Sequence, residues 1–73
     1  MTLSQSVEDY LKVIYVLESE GSAATTNNIA EMMDVSSASV TNMLKRLAGL
    51  NLIEHKSYKG ATLTDAGNKI ALE

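Results

Sequence analysis

The spacing of apolar residues predicts a helix near the start of the chain. Apolar side chains recur every three or four positions between Val7 and Glu20, which is the period of one face of an α-helix. Gly21 ends this first helix, because glycine adopts the left-handed conformation of a helix C-terminus without strain. The apolar positions of the predicted inner face are Val7, Tyr10, Leu11, Ile14, Tyr15 and Leu17.

Two shorter helices follow, joined by a brief turn. Thr25 or Thr26 is the predicted cap of the second helix, because a hydroxyl accepts a hydrogen bond from one of the first helical amides. Ser36 or Ser37 is the predicted cap of the third. Helices joined by a turn as short as residues 34–35 cross steeply, as in a helix-turn-helix, whose second member is the recognition helix. The predicted inward-facing residues are Ile29, Ala30 and Met33 on the second helix, and Val40, Met43, Leu44 and Leu47 on the third.

After Asn51, apolar residues recur at every second position instead of at the helical spacing. Asparagine tolerates a positive φ better than most residues, so Asn51 is predicted to be left-handed. Residues 52–57 (LIEHKS) and 61–64 (ATLT) are predicted strands, and the YKG between them supplies a hairpin turn. Thr64 then begins a last helix. The predicted fold is mainly α with a small β-hairpin, a single winged helix-turn-helix domain spanning residues 1–73.

Composition excludes several classes of protein. The chain has no cysteine, one histidine and no glycine-rich phosphate loop, so a disulfide scaffold, a thiolate metal site and an enzyme active site all lack residues they need. The N-terminus has neither the basic nor the apolar segment of a secretory signal, and no apolar run approaches the length of a membrane span. We therefore expect a cytoplasmic protein that is not an enzyme and does not associate with a membrane.

Charge is distributed unevenly along the chain. The formal net charge of −3 argues against nucleic acid when it is considered alone. The first 35 residues have a balance of −5, however, whereas residues 36–60 have a balance of +3. Because binding depends on the local field, this basic segment is the predicted contact with DNA. Its charged residues are Lys45, Arg46, Lys56 and Lys59, against Glu54.

The start of the predicted recognition helix combines small and polar residues. Such a helix places its first turns in the major groove, where side chains must allow close approach and form hydrogen bonds. Asn42 is the best candidate for reading a base, because its amide can pair with adenine through two hydrogen bonds. The alternative is that these residues cap a solvated helix and that the wing is a solvated hairpin tip. The candidate DNA contacts are Ser36, Ser37, Ala38, Ser39, Thr41, Asn42, Lys45 and Arg46 in the helix, and Lys56, Ser57, Tyr58 and Lys59 in the wing.

Asp9 and His55 each admit two interpretations. Ser6 and Asp9 have the spacing of a helix cap, but a carboxylate near a helix start could also help to bind a divalent cation. The cap is the favoured interpretation from the residues alone. His55 follows Glu54 on a predicted strand, which places the two on opposite faces. We interpret His55 as a structural residue or a backbone contact rather than as a metal ligand.

Three segments of the chain resemble one known family. SVEDYLKVIYVLESEG (6–21), IAEMMDVSSASVTNMLKRL (29–47) and LIEHKSYKGATLTDAGNKIA (52–71) are similar to the N-terminal domain of the diphtheria-toxin-repressor family of metal-dependent transcriptional repressors, which includes a manganese-responsive branch. The most specific pieces are EDYL on the first helix, SVT near the start of the recognition helix, and YKG with LTDAG through the wing. The resemblance covers almost the whole chain.

The resemblance implies a homodimer that binds a palindromic operator in double-stranded DNA when it is loaded with Fe²⁺ or Mn²⁺, and that represses metal-uptake genes. It places Asp9 at the position of one metal ligand, whereas most other ligands and the dimer interface belong to a second helical domain beyond this chain. Lys12 stands where the manganese-type pattern has a carboxylate, which leaves iron, another metal or a lost metal response open, and Ala38 replaces a proline.

Residues 1–73 alone are therefore expected to be monomeric and to bind no metal. The alternative functions are a winged helix used for protein–protein contact and a regulator that responds to a signal other than a metal.

Overall fold

The computed structural model describes residues 4–56 and 59–73, which form four helices and a two-stranded antiparallel hairpin. This order confirms the predicted winged helix-turn-helix. None of the helices in the described ranges has the length and apolar character needed to cross a membrane. The elements are α1 (Gln5–Ser19), α2 (Thr26–Met33), α3 (Ser37–Gly49), β1 (Ile53–Lys56), β2 (Gly60–Leu63) and α4 (Asp65–Ala71).

The cap of α1 differs from the predicted one. Ser4 is the N-cap, and its hydroxyl accepts a hydrogen bond from the amide of Val7 at 3.3 Å. The helix therefore begins two residues earlier than predicted, and Ser6 lies inside the first turn, where it cannot act as the cap. Asp9 is too far along the helix to bond an end amide. Its carboxylate instead accepts a hydrogen bond from the side-chain amide of Gln5 at 2.8 Å, so the cap interpretation of Asp9 is wrong.

Gly21 ends α1 as predicted. It has a φ of 76°, and its amide donates to the carbonyl of Glu18 at 3.0 Å. The next amide, of Ser22, donates to the carbonyl of Leu17 at 2.9 Å. These two bonds satisfy carbonyl groups that would otherwise lack partners at the helix end.

Helices α2 and α3 form the helix-turn-helix. Thr25 and Ser36 are the N-caps, and their hydroxyls each accept a hydrogen bond at 3.1 Å, from the amides of Asn28 and Ser39 respectively. Asp34 occupies the turn between the helices with a φ of 57°. This left-handed residue ends α2, and a turn this short makes α2 and α3 cross steeply.

The strands of the hairpin differ from the predicted ones: β1 begins at Ile53 instead of Leu52, and β2 begins at Gly60, which the sequence predicts to lie in the turn, and ends at Leu63. Ile53 pairs with Leu63 at the base of the hairpin, and Leu52 is excluded because its amide donates to the carbonyl of Leu47 at 3.0 Å. That bond closes the end of α3 around Asn51, whose φ of 61° confirms the predicted left-handed conformation.

The loop before α2 adds a partner on the other edge of β2. The amide of Ala61 donates to the carbonyl of Ala24 at 2.9 Å, and Ala24 forms bridges with both Gly60 and Ala61. A Cβ at Gly60 would overlap the carbonyl of Ala24, so only glycine permits this approach without rearrangement. The wing is therefore attached to the helical part of the domain by backbone pairing.

The core lies between α1, the helix-turn-helix and the base of the hairpin. Most predicted inner positions are buried, and no polar or charged residue is buried in the described ranges. Tyr15 is an exception because it lies to one side of the inner face and is 36% exposed. Met33 and Met43 are half-buried at the edge of the core. The largest fully buried side chains are Val7, Leu11, Ile14, Ile29, Val40 and Leu47.

Candidate nucleic-acid interface

The outer face of α3 presents the residues predicted to contact DNA. Ala38, Asn42 and Lys45 are spaced by four and three positions and are exposed, so they form one line along the helix. The opposite face contains Val40 and Leu44, which are buried in the core. Burial of that face therefore fixes the rotation of α3 and directs the predicted base-reading residue toward solvent.

Two of the predicted hydroxyl contacts are used within the protein. The Ser36 hydroxyl accepts a hydrogen bond from the Ser39 amide and donates one to the Ser39 hydroxyl at 2.9 Å. These two residues thus cap the recognition helix, as the alternative to DNA contact predicts for them. The Ser39 oxygen retains a lone pair that can accept a further hydrogen bond. Ser37 and Thr41 are also exposed on the first turns of α3.

A cleft between α1 and α3 brings Asp9 near the recognition helix. Its walls include Asp9 and Tyr10 from α1, and Asn42 and Arg46 from α3. The residues alone did not predict this proximity, because Asp9 and Arg46 belong to different helices and only the packing angle brings them to one cleft. A carboxylate in this position lowers the local potential beside a predicted phosphate contact.

The two lysines predicted to contact DNA from the wing, Lys56 and Lys59, have different neighbours. Lys56 pairs with Glu54 at 3.7 Å, and both side chains are largely exposed, so the pair contributes little stability. The Lys59 amide donates to the Lys56 carbonyl at 3.3 Å, and the Lys59 side chain lines a cleft that also contains Glu18. The predicted contacts Ser57 and Tyr58 lie outside the described residues.

The described residues do not form a metal site by themselves. In residues 4–56 and 59–73, no three His, Asp or Glu side chains converge as a ligand set would require. Asp9 is half-buried and hydrogen-bonded to Gln5, and Lys12 follows one turn later on the same helix. Tight binding of a divalent cation needs several oxygen or nitrogen ligands, so Asp9 can supply one ligand but not a complete site.

A capped recognition helix, a steep turn and a hairpin attached beside them define a winged helix-turn-helix DNA-binding domain. A family model described as "Iron dependent repressor, N-terminal DNA binding domain" matches residues 2–61. The chain belongs to this family, and the resemblance noted in its sequence is confirmed.

Individual relatives agree with this assignment. The HTH-type transcriptional regulator MntR of Shouchella clausii is 42% identical over 65 residues, which are 89% of this chain and 46% of that protein. The manganese regulator SloR has a TM-score of 0.79 and 37% identity, covering 97% of this chain and 32% of SloR. ScaR with bound Zn²⁺ has the same TM-score at 38% identity, over 89% of this chain and 30% of ScaR. The chain thus spans about half or less of the length of these relatives.

Proposed function

We propose that α3 enters the major groove of duplex DNA and that its outward line contacts the DNA. Asn42 reads a base, and Lys45 and Arg46 contact phosphates, because these longer cationic side chains lie one turn further along the helix. The exposure of Ala38, Asn42 and Lys45 along one line is the observation that carries this proposal. The other contacts proposed are Ser36, Ser37, Ser39 and Thr41 on the helix, and Lys56, Ser57, Tyr58 and Lys59 in the wing.

We further propose that this domain belongs to a longer cytoplasmic repressor that responds to Fe²⁺ or Mn²⁺. A divalent metal is supported by two similar proteins, the manganese regulator SloR and ScaR, which has been solved with bound Zn²⁺. Asp9 would supply one ligand, and a second domain would supply the others together with the homodimer interface. Dimerisation would match a palindromic operator, because two recognition helices then contact half-sites about 34 Å apart. This function requires no enzymatic activity, in keeping with a family of regulators.

A salt titration tests the DNA-binding role. Binding of the 73-residue chain to a fluorescently labelled duplex is measured by anisotropy across a range of salt concentrations. Contacts from α3 and the wing to roughly three or four phosphates predict a slope near −3 in a plot of log affinity against log salt concentration. A flat plot would contradict docking in the groove and would favour a protein-binding winged helix.

Two lysines provide a matched comparison in the same assay. Lys45→Ala should weaken binding and reduce the magnitude of the salt slope by about 1, because one phosphate contact is lost. Lys69→Ala removes the same charge from α4, which packs against α1 and β2 instead of against the recognition helix. It should leave the slope nearly unchanged. Equal effects of the two substitutions would show that net charge, and not the face of α3, determines binding.

A further inference from the structure

The cleft between α1 and α3 also has two methionine side chains in its walls. Met33 comes from α2 and Met43 from α3, and both side chains are half-buried at the edge of the core. The cleft opens to solvent and has a volume of about 480 Å³. A molecule as small as hydrogen peroxide can therefore reach both methionines without unfolding the domain.

The thioether of methionine is the group in this cleft that a peroxide oxidises. The chain has four methionines and no cysteine, so no thiol competes for the oxidant. The O–O bond of hydrogen peroxide breaks, one oxygen atom bonds to sulfur, the sulfur gives up two electrons, and the other oxygen leaves as water. The product is methionine sulfoxide, a polar side chain that cellular reductases convert back to methionine.

Met43 precedes Arg46 by three positions on α3. Side chains at this spacing are neighbours on a helix surface, and both residues line the same cleft. Arg46 is exposed, and within residues 4–56 and 59–73 no carboxylate forms an ion pair with it. Its guanidinium can therefore donate a hydrogen bond to a new acceptor on Met43.

Oxidation changes the hydrogen-bonding requirement of Met43. A thioether sulfur is only a weak acceptor, and the reduced side chain packs against the core as an apolar group. A sulfoxide oxygen that is half-buried needs a hydrogen-bond donor, because burying it without one is unfavourable. Arg46 is the one cationic donor among the described residues that line this cleft.

We propose that Met43 is a site of reversible oxidation that controls DNA binding. Its sulfoxide accepts a hydrogen bond from Arg46 and holds the guanidinium in the cleft, away from the DNA. The oxidised domain therefore binds DNA weakly, and reduction of the sulfoxide restores binding. This inference rests on the proposed DNA-binding function of α3.

Peroxide treatment of the 73-residue chain tests the proposal. Mass spectrometry of peptides follows oxidation at each methionine, and anisotropy measures binding to duplex DNA. Oxidation at Met43 should weaken binding about ten-fold, as expected for loss of one hydrogen bond between charged groups. It should also reduce the magnitude of the salt slope by about 1. Methionine sulfoxide reductases should restore the affinity.

Leucine substitutions separate the methionines of the described residues. Met43→Leu conserves side-chain volume and should bind DNA equally well before and after peroxide. Met32→Leu and Met33→Leu are the matched controls and should lose affinity on oxidation as the wild type does. Met32 is 46% exposed and lines a different cleft, and Met33 belongs to α2, which carries no arginine.

Two cation variants test the role of Arg46. Arg46→Ala should bind weakly at the start and should lose little further affinity on oxidation, because the guanidinium that the sulfoxide would hold is absent. Lys45→Ala should keep the full response, since Lys45 does not line this cleft.

The outcomes distinguish this proposal from the general one. If Met43→Leu loses as much affinity on oxidation as the wild type, or if the oxidised chain loses its helical circular dichroism, control by Met43 is overturned although DNA binding stands. If the reduced wild-type chain fails to bind DNA, both proposals are overturned.

Discussion

Gly67 lies where α4 packs against the start of the wing. A Cβ at this buried position would overlap the carbonyl oxygen of Leu52 and would approach Cδ2 of Leu63 to 3.3 Å. The Leu52 carbonyl is held in place because it accepts a hydrogen bond from the Thr64 amide at 3.1 Å. Gly67→Ala should therefore push α4 away from the hairpin base by about 1 Å, since a Cβ cannot share that space with a backbone oxygen.

The expected loss of stability follows from three contributions. Replacing glycine by alanine inside a helix favours folding by about 1 kcal/mol. Overpacking typically costs about 1 to 3 kcal/mol, and loss of the hydrogen bond between Thr64 and Leu52 costs about 1 kcal/mol. The net change is a destabilisation of about 2 kcal/mol, which lowers the Tm of a domain of this size by roughly 8 to 16 °C.

Gly49→Ala is the matched control for Gly67→Ala. Gly49 is the exposed last residue of α3, and a Cβ there meets no atom within 4 Å. This substitution should stabilise the domain by up to about 1 kcal/mol through helix propensity alone. Thermal and urea unfolding, followed by circular dichroism without DNA, measure both variants. If Gly67→Ala raises the Tm as much as Gly49→Ala does, the argument from close packing is refuted.

Three further predictions concern binding. Asn42→Ala should cost about 1 to 3 kcal/mol of binding free energy on the operator and little on random DNA. Lys59→Ala should weaken binding to the two DNAs equally. Equal losses for the two variants on both DNAs would exclude base reading by Asn42. Asp9→Asn should tighten metal-free DNA binding about two-fold, because it removes a carboxylate from the cleft that Arg46 also lines. Glu8→Gln removes a carboxylate outside that cleft and should leave the affinity unchanged. Identical affinities of these two variants would contradict the electrostatic argument. Calorimetry with Mn²⁺ and Fe²⁺ should detect no micromolar binding by residues 1–73, and sedimentation should show a monomer; stoichiometric binding or a metal-driven dimer would contradict both expectations.

Local chemistry made the ends of several elements predictable. Gly21, Asn51 and Thr64 each occupy a position whose backbone geometry or hydrogen bonding favours their residue type, and the structure confirms all three. The first helix start was not predictable to the same degree. Ser4 and Ser6 are the same residue type and equally good caps, so local chemistry alone does not choose between them.

Contacts between distant segments were not predictable from one sequence. Ala24 pairs with β2 as a single residue within a loop, so no strand pattern indicates it. The cleft lined by Asp9 and Arg46 depends on the angle between two helices. A cleft lined by His55 and residues of α3 depends in the same way on the placement of the hairpin. The candidate residues of α3 could be found by spacing alone, because their exposure follows from burial of the opposite face of the same helix.

The attachment of the wing to Ala24 has a consequence for the entropy of recognition. A hairpin of two four-residue strands is only marginally ordered in water when it is isolated. Here Glu18 accepts a hydrogen bond from the Leu63 amide and Ala24 accepts one from the Ala61 amide, each at 2.9 Å, so order along β2 depends on folding of the whole domain. Strand β2 is therefore already fixed before DNA arrives, and the complex does not lose affinity to the cost of ordering that strand on contact.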